Sequence, residues 1–144
     1  MKTVAELLKS KPARTVVTVK PEESVLEAIK TLARENVGAA VVLVDDRLAG
    51  IFSERDYTRK VILQGRASNT TRVEEIMTSS VLVVNPRSTT RECMAVMTEK
   101  GIRHLPVVDQ GRVIGMVSIR DIVGDIIADQ DYTIHQLESY ISGN

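Results

Sequence analysis

Along the chain the spacing of apolar residues changes in a fixed order, and that order occurs twice. A short β-branched run, Val16 to Val19 or Val81 to Val84, ends at a Pro-containing turn, Pro21 or Pro86. Proline cannot donate to a β-ladder, so each run predicts a strand that stops there. Ser24-x-x-Glu27 and Thr89-x-x-Glu92 follow, both capping boxes that predict helix starts. Behind the first box, Val25, Ala28, Ile29, Leu32 and Ala33 fall on one helical face, and Cys93, Met94 and Met97 continue the matching face in the second copy. Two strands joined by a tight polar turn come next: AAVVLV, Asp45-Asp46-Arg47 and LAGIF; then HLPVV, Asp109-Gln110-Gly111 and VIGMV. Gly111 suits a turn position with positive φ. A second helix is predicted after GIFSERD with Tyr57, Val61 and Ile62, and after GMVSIRD with Ile122, Ile126 and Ile127.

The two copies superimpose at one offset: Gly50 falls on Gly115, and the 65-residue shift also carries Pro21 onto Pro86, Glu27 onto Glu92 and Arg47 onto Arg112 without a gap. Before Val16 the register slips by four, because Lys11 to Arg14 has no counterpart, yet VAELL at Val4 still matches VEEIM at Val73. The pattern predicts an α+β protein made of two β-α-β-β-α units. Each unit is marginal alone, so packing sheet against sheet, with both apolar faces buried, is the expected solution. The divisions are 1–67, an N-terminal helix with the first unit; 68–127, the second unit; and 128–144, a further amphipathic helix. In that tail Ile134, Leu137 and Ile141 share a face and Gly143 suits the end.

Composition narrows the function classes. The chain has 144 residues, 43% hydrophobic and 26% charged, as in an ordinary globular protein. No apolar stretch approaches a bilayer span, and charges at Glu6, Lys9 and Lys11 interrupt the N-terminal apolar run, so neither a membrane segment nor a signal peptide is predicted and a cytoplasmic location is expected. Zero formal net charge and 3% aromatics argue against a nucleic-acid partner. A single cysteine, Cys93, excludes an internal disulfide and a multi-cysteine metal site, and its helical apolar position predicts a buried, inert thiol.

The signature Gly-hydrophobic-x-Ser-x-x-Asp, present as GIFSERD and GMVSIRD, together with GIRHLPVVD at Gly101 to Asp109, resembles the paired cystathionine-β-synthase (CBS) domain family, or Bateman module, over about residues 4 to 127. SERDYTRKV is similar to small stand-alone bacterial CBS-pair proteins. The resemblance implies two repeats packed with pseudo-two-fold symmetry through small sheets. It also implies AMP, ADP, ATP, S-adenosylmethionine or NAD held in clefts between them, regulation without a catalytic cofactor or metal, and a homodimer. By the same resemblance adenine would lie against Thr18, Val37, Gly38 and Ala39 in a first site and against Val83, Ile102, Arg103 and His104 in a second.

The residues themselves suit a nucleotide. A helix N-terminus carries free N–H groups and partial positive charge for phosphate. Ser53 and Ser118 add hydroxyl donors, Arg55 and Arg120 fixed forks of charge, and Asp56 and Asp121 acceptor-only carboxylates matched to ribose hydroxyls. Arg59 and Lys60 enrich the first site in positive charge. The alternative is plain capping, since Ser-x-x-Asp also starts helices, but capping gives no reason for Arg to recur before the acid. His104 reads equally as a core-edge histidine, and His135 as structural or solvated. The expected function is therefore an adenosine-nucleotide sensor acting on an unidentified protein target in trans. A protein-interaction module with vestigial sites is the runner-up; a nucleotide-hydrolysing enzyme ranks below it, because no Walker loop or H-E-x-x-H is present.

Overall fold

The computed structural model describes residues 2–11 and 16–141, so Gly143 and most of the four-residue insertion lie outside the described residues. The first repeat contains β1 (Thr18–Val19), α2 (Val25–Glu35), β2 (Ala39–Val44), β3 (Arg47–Ser53) and α3 (Glu54–Tyr57), the last continued by a π-helical turn, Thr58–Ile62. The second contains α5 (Thr90–Lys100), β4 (His104–Asp109), β5 (Arg112–Ser118) and α6 (Ile119–Ile141). Short helices α1 (Val4–Ser10) and α4 (Val73–Ile76) precede the repeats. Ser24 and Thr89 cap α2 and α5 through their hydroxyls, and Asn36 and Gly101, both left-handed, end them. Both hairpins turn on two residues of positive φ, Asp45-Asp46 and Gln110-Gly111, the geometry that matches strand twist.

Packing does not follow the sequence divisions. One core joins Val19, Val25, Leu32, Val42, Phe52 and Val61 to Val73 and Ile76 of α4; the other joins Cys93, Met97, Leu105, Val117 and Ile122 to Val4 and Leu7 of α1. Each short helix therefore packs on the repeat other than the one it precedes. Equivalent backbone bonds anchor both: Val73 N–H to Glu23 O at 2.9 Å and Glu74 N–H to Pro21 O at 2.9 Å, against Val4 N–H to Ser88 O at 2.7 Å and Ala5 N–H to Pro86 O at 3.0 Å. Strands β3 and β5 meet across the pseudo-two-fold axis.

Two expectations are corrected. The first sheet has three strands in the order β1-β2-β3, but the second has only β4 and β5, and the predicted strand at Val81 to Val84 shrinks to a bridge between Val84 and Val107. The cause is Pro106. At the equivalent position Val41 donates its N–H to Val17 O at 3.0 Å, a bond that proline cannot make to Leu82. Second, the tail is no separate helix, because α6 runs unbroken from Ile119 to Ile141. In the first repeat Gly65, at φ 67°, closes the helix with Arg66 N–H bonded back to Val61 O at 2.9 Å; Gln130 stands at the equivalent place and the second helix continues. The two second helices also bury different positions: Ile126 and Ile127 are exposed, whereas Val61, the counterpart of Ile126, is buried. The π turn inserts one residue per turn and rotates buried Val61 inward; the regular α6 instead turns Asp125 inward, where it pairs with Lys2 at 2.7 Å.

Candidate functional site

Two clefts lie between the repeats, of about 480 Å³ and about 520 Å³, each within the range that holds a small ligand. Cleft 1 takes Ser53, Arg55, Asp56, Arg59 and Lys60 from the first repeat and Val81, Leu82, Ile102, Arg103 and His104 from the second. In cleft 2 the origins are reversed: Ser118, Arg120 and Asp121 come from the second repeat, while Val16, Val17, Val37, Gly38 and Ala39 come from the first. The expected grouping is thus corrected. Each candidate base-side set faces the Ser-x-Arg-Asp helix start of the other repeat, because β3 and β5 meet at the axis and bring each motif beside the opposite sheet edge.

Two nominated residues line neither cleft. Thr18 points outward and Val83 is exposed, whereas their strand neighbours Val16, Val17, Val81 and Leu82 form the walls. Gly38, Glu54, Arg103 and His104 border both clefts. A Cβ on Gly38 would stand 3.2 Å from Glu54 Oε1 and 3.4 Å from His104 Cε1, so glycine lets that partition close.

The capping geometry is real in both repeats. Asp56 N–H donates to Ser53 Oγ at 3.1 Å and Ser53 N–H to Asp56 Oδ2 at 3.2 Å; Asp121 N–H donates to Ser118 Oγ at 3.1 Å and Ser118 N–H to Asp121 Oδ2 at 2.9 Å. Capping and ligand binding are compatible, since the same side chains border the clefts. Arg55 spans cleft 1 and donates to Gly101 O, at the end of α5, at 2.8 Å. The Arg120 side chain makes no hydrogen bond or ion pair among the described residues and borders cleft 2.

What closes on each carboxylate differs. Asp56 Oδ1 accepts from Thr78 Oγ1 at 3.2 Å and pairs with Lys60 at 3.1 Å. Asp121 Oδ2 receives Lys11 Nζ at 2.9 Å, and the same ammonium donates to Met116 O at 3.0 Å. Burial pushes the Asp121 carboxyl up, but the Ser118 N–H and the Lys11 ammonium outweigh it and hold the pKa below the ordinary value. His104 is held below its usual range chiefly by burial, with Arg103 and Lys11 adding to the shift against the pull of Asp121, so at neutral pH it offers an uncharged imidazole. Cleft 1 is bordered by five cationic side chains against two acidic ones, and cleft 2 by three against two.

Sequence reasoning missed Thr78, Lys100 and Lys11. The signal for Lys11 was present: the four residues without a counterpart begin with it. Cys93 is fully buried and burial pushes its thiol up, as its position predicts, while His135 is exposed on α6, 4.0 Å from Glu138.

Comparison with known proteins agrees with the two-repeat fold. The CBS domain profile matches residues 4–62 and again 73–128. A CBS domain-containing mitochondrial protein of Arabidopsis thaliana, CBSX3, is 40% identical over 127 residues, covering 85% of this chain and 62% of that protein, so the chain spans less than two thirds of that relative. A candidate signal-transduction protein with CBS domains from Burkholderia ambifaria MC40-6 superimposes with a TM-score of 0.86 at 53% identity, covering 90% of this chain and 96% of the other. A CBS domain protein from Pyrobaculum aerophilum, solved in complex with AMP, superimposes with a TM-score of 0.73 at 27% identity, covering 83% and 89%.

Proposed function

The chain belongs to the CBS-domain family, and on that premise we propose that it is a regulatory module that binds an adenosine nucleotide in the clefts between its repeats and acts on a partner in trans. One observation carries the reading: each cleft joins a helix start bearing Ser, Arg and Asp to apolar wall residues of the opposite repeat. That is the combination a nucleoside phosphate needs, with donors for phosphate, a carboxylate for ribose and an apolar slot for the base. The AMP complex of the Pyrobaculum relative supports this ligand class. The excess of cations in cleft 1 favours a di- or triphosphate there, ADP, ATP or NAD, over a monophosphate. Regulation follows from the crossed construction, because a ligand that touches both repeats favours the arrangement in which they close on it.

A homodimer is part of the proposal. On α6, Ile127, Ile134 and Ile141 repeat every seven residues, with Val123 and Leu137 on the alternate seam position, and all five are exposed. Isoleucine on one seam position with leucine on the other suits a two-stranded coiled coil, so the second helix is that of another copy. A regulatory rather than catalytic role and a cytoplasmic location complete the reading; no described helix is long and apolar enough to cross a membrane.

The test is a melting screen against adenosine, AMP, ADP, ATP, NAD and S-adenosylmethionine. Ligand at 100 times its Kd stabilises the folded state by about 2.7 kcal/mol, which shifts the midpoint by several degrees. Stabilisation by at least one compound, reduced in both Asp56→Ala and Asp121→Ala, is expected. No shift with any compound supports the vestigial interaction module, and sustained turnover of a bound nucleotide would establish an enzyme.

A further inference from the structure

Helices α1 and α4 both cross to the opposite repeat, yet they finish differently. After α4, Thr78 uses two groups: its N–H donates to Ile51 O at 2.9 Å, and its hydroxyl donates to Asp56 Oδ1 at 3.2 Å. After α1, one Lys11 ammonium does both jobs, donating to Met116 O, the equivalent of Ile51 O, and to Asp121 Oδ2. A backbone-anchored hydroxyl is replaced by a charge on a flexible stem. The replacement also answers a reversal inside the repeats: Lys60, which pairs with Asp56, has Asp125 as its counterpart, and that acid is committed to Lys2. Cleft 2 therefore borrows its cation from the crossing helix. All hydrogen bonds to the Asp121 side chain fall on Oδ2 among the described residues.

A vicinal diol engages both oxygens of a carboxylate, so a ribose on Asp121 must share or take Oδ2 from Lys11. The Lys11 side chain is only 26% exposed, and leaving a partly buried ammonium without an anion is costly. Resting on the nucleotide reading above, we propose that Lys11 sets the ligand class of cleft 2: it disfavours a bare nucleoside and favours one whose phosphate gives the displaced ammonium a new anion. The selection works by penalising the wrong ligand as much as by attracting the right one. In cleft 1 the ammonium on the carboxylate is Lys60 of the same helix, which pairs with Asp56 Oδ1 at 3.1 Å, so that cleft's preference does not depend on Lys11 and serves as the internal control.

The test follows backbone amide resonances of the ¹⁵N-labelled full chain during titration with adenosine and with AMP. Ser118 and Asp121 border only cleft 2, and Ser53 and Asp56 only cleft 1, so one titration reads both. Replacing Lys11 by Met should lower the AMP-over-adenosine preference of cleft 2 about tenfold, the scale of one charge-assisted bond, with adenosine binding tighter and AMP weaker. Lys11→Arg should restore the preference, and the cleft 1 ratio should not move. Lys11→Gln, which keeps a donor for Met116 O, serves should Lys11→Met fold poorly. An unchanged cleft 2 ratio in Lys11→Met and Lys11→Gln, with binding retained, overturns the role of Lys11 and leaves the nucleotide reading standing. No response at Ser118 or Asp121 to either compound in the unaltered protein overturns the role of Lys11, and no response at Ser53 and Asp56 as well, with no thermal shift from any compound of the screen, overturns the nucleotide reading too.

Discussion

Two carboxylates at equivalent places, Asp56 and Asp121, cap equivalent helices and border clefts of similar size, yet almost everything that touches them has changed. Asp56 answers to its own helix through Lys60 and to a hydroxyl just after α4; Asp121 answers to an ammonium just after α1. The partition is uneven too, since Gly38 and Ala39 in one repeat correspond to Arg103 and His104 in the other. Duplication preserved the backbone bonds that set the helix starts and let the side chains between them diverge. The lesson is that pseudo-symmetry of fold does not extend to pseudo-symmetry of ligand.

The sharpest way to break the comparison is at the glycine of each signature, where the crossing helix approaches most closely. A Cβ on Gly50 would stand 2.7 Å from Thr78 O and 2.8 Å from Met77 Sδ, whereas on Gly115 it would meet the Leu8 methyls at 2.9 Å. Thr78 O is backbone and is held by the bond from Ile51 N–H at 2.9 Å; the Leu8 methyls are the end of a rotatable side chain. Gly50→Ala should therefore destabilise by about 3 kcal/mol and Gly115→Ala by about 1 kcal/mol, the upper and lower parts of the range for overpacking. Urea unfolding of the two variants measures both. Equal losses would mean that the second crossing is as rigid as the first.

Acid titration sharpens the same contrast at a smaller scale. Because the folded pKa of Asp121 is depressed, the unfolded state binds more protons over that range; the stability contributed is present above the ordinary value of 3.8 and is lost as pH falls through the lower folded value. His104 has the same sign in a different window. Its folded pKa lies below 6.5, so its contribution is present above that pH and declines as the imidazole is forced to protonate. Lys11→Met should flatten the limb below about pH 4 and only slightly weaken the higher one, which is set chiefly by burial, and His104→Gln should remove the higher limb and leave the lower in place. Stability measured by urea midpoint from pH 3 to 8 separates them. A Lys11→Met profile parallel to that of the unaltered protein would remove the ion pair from the account.

How far the sequence foretold this depends on whether a feature is local. Helix starts at Ser24, Ser53, Thr89 and Ser118, the hairpin turns and the duplication were legible, because capping and turn chemistry act over three or four residues and the repeat runs without a gap. The same letters named most of the cleft: Ser53, Arg55, Asp56, Ser118, Arg120, Asp121, Val37, Gly38, Ala39, Ile102, Arg103 and His104 all border one cleft or both. Crossing was not legible, because VAELL adjoins the first repeat in sequence and nothing local says that it packs on the second. The mistaken grouping of base-side residues follows from that. Thr18 and Val83 line neither cleft; the walls are formed by the residues just before them, Val16 and Val17 or Val81 and Leu82, a placement that no local pattern announces.

The smallest expected effect tests the missing strand. Pro106 lacks the N–H that Val41 uses at the equivalent place, and Pro106→Val returns that donor opposite the Leu82 carbonyl. A typical hydrogen bond contributes about 1 kcal/mol net, but proline also restricts the unfolded chain, worth about 0.4 to 1 kcal/mol, and the substitution gives that up. The two nearly cancel, so the urea midpoint should barely move. Amide exchange should move instead: the N–H introduced by the substitution should be protected, and Val84, whose N–H already donates to Pro106 O at 3.0 Å, should exchange more slowly as the bridge extends into a strand. Because Val81 and Leu82 form the apolar wall of cleft 1, a better-ordered strand there should also tighten whatever that cleft holds. An unprotected amide at the substituted position would place the cause of the lost strand outside Pro106, in the Val81 to Val84 segment itself.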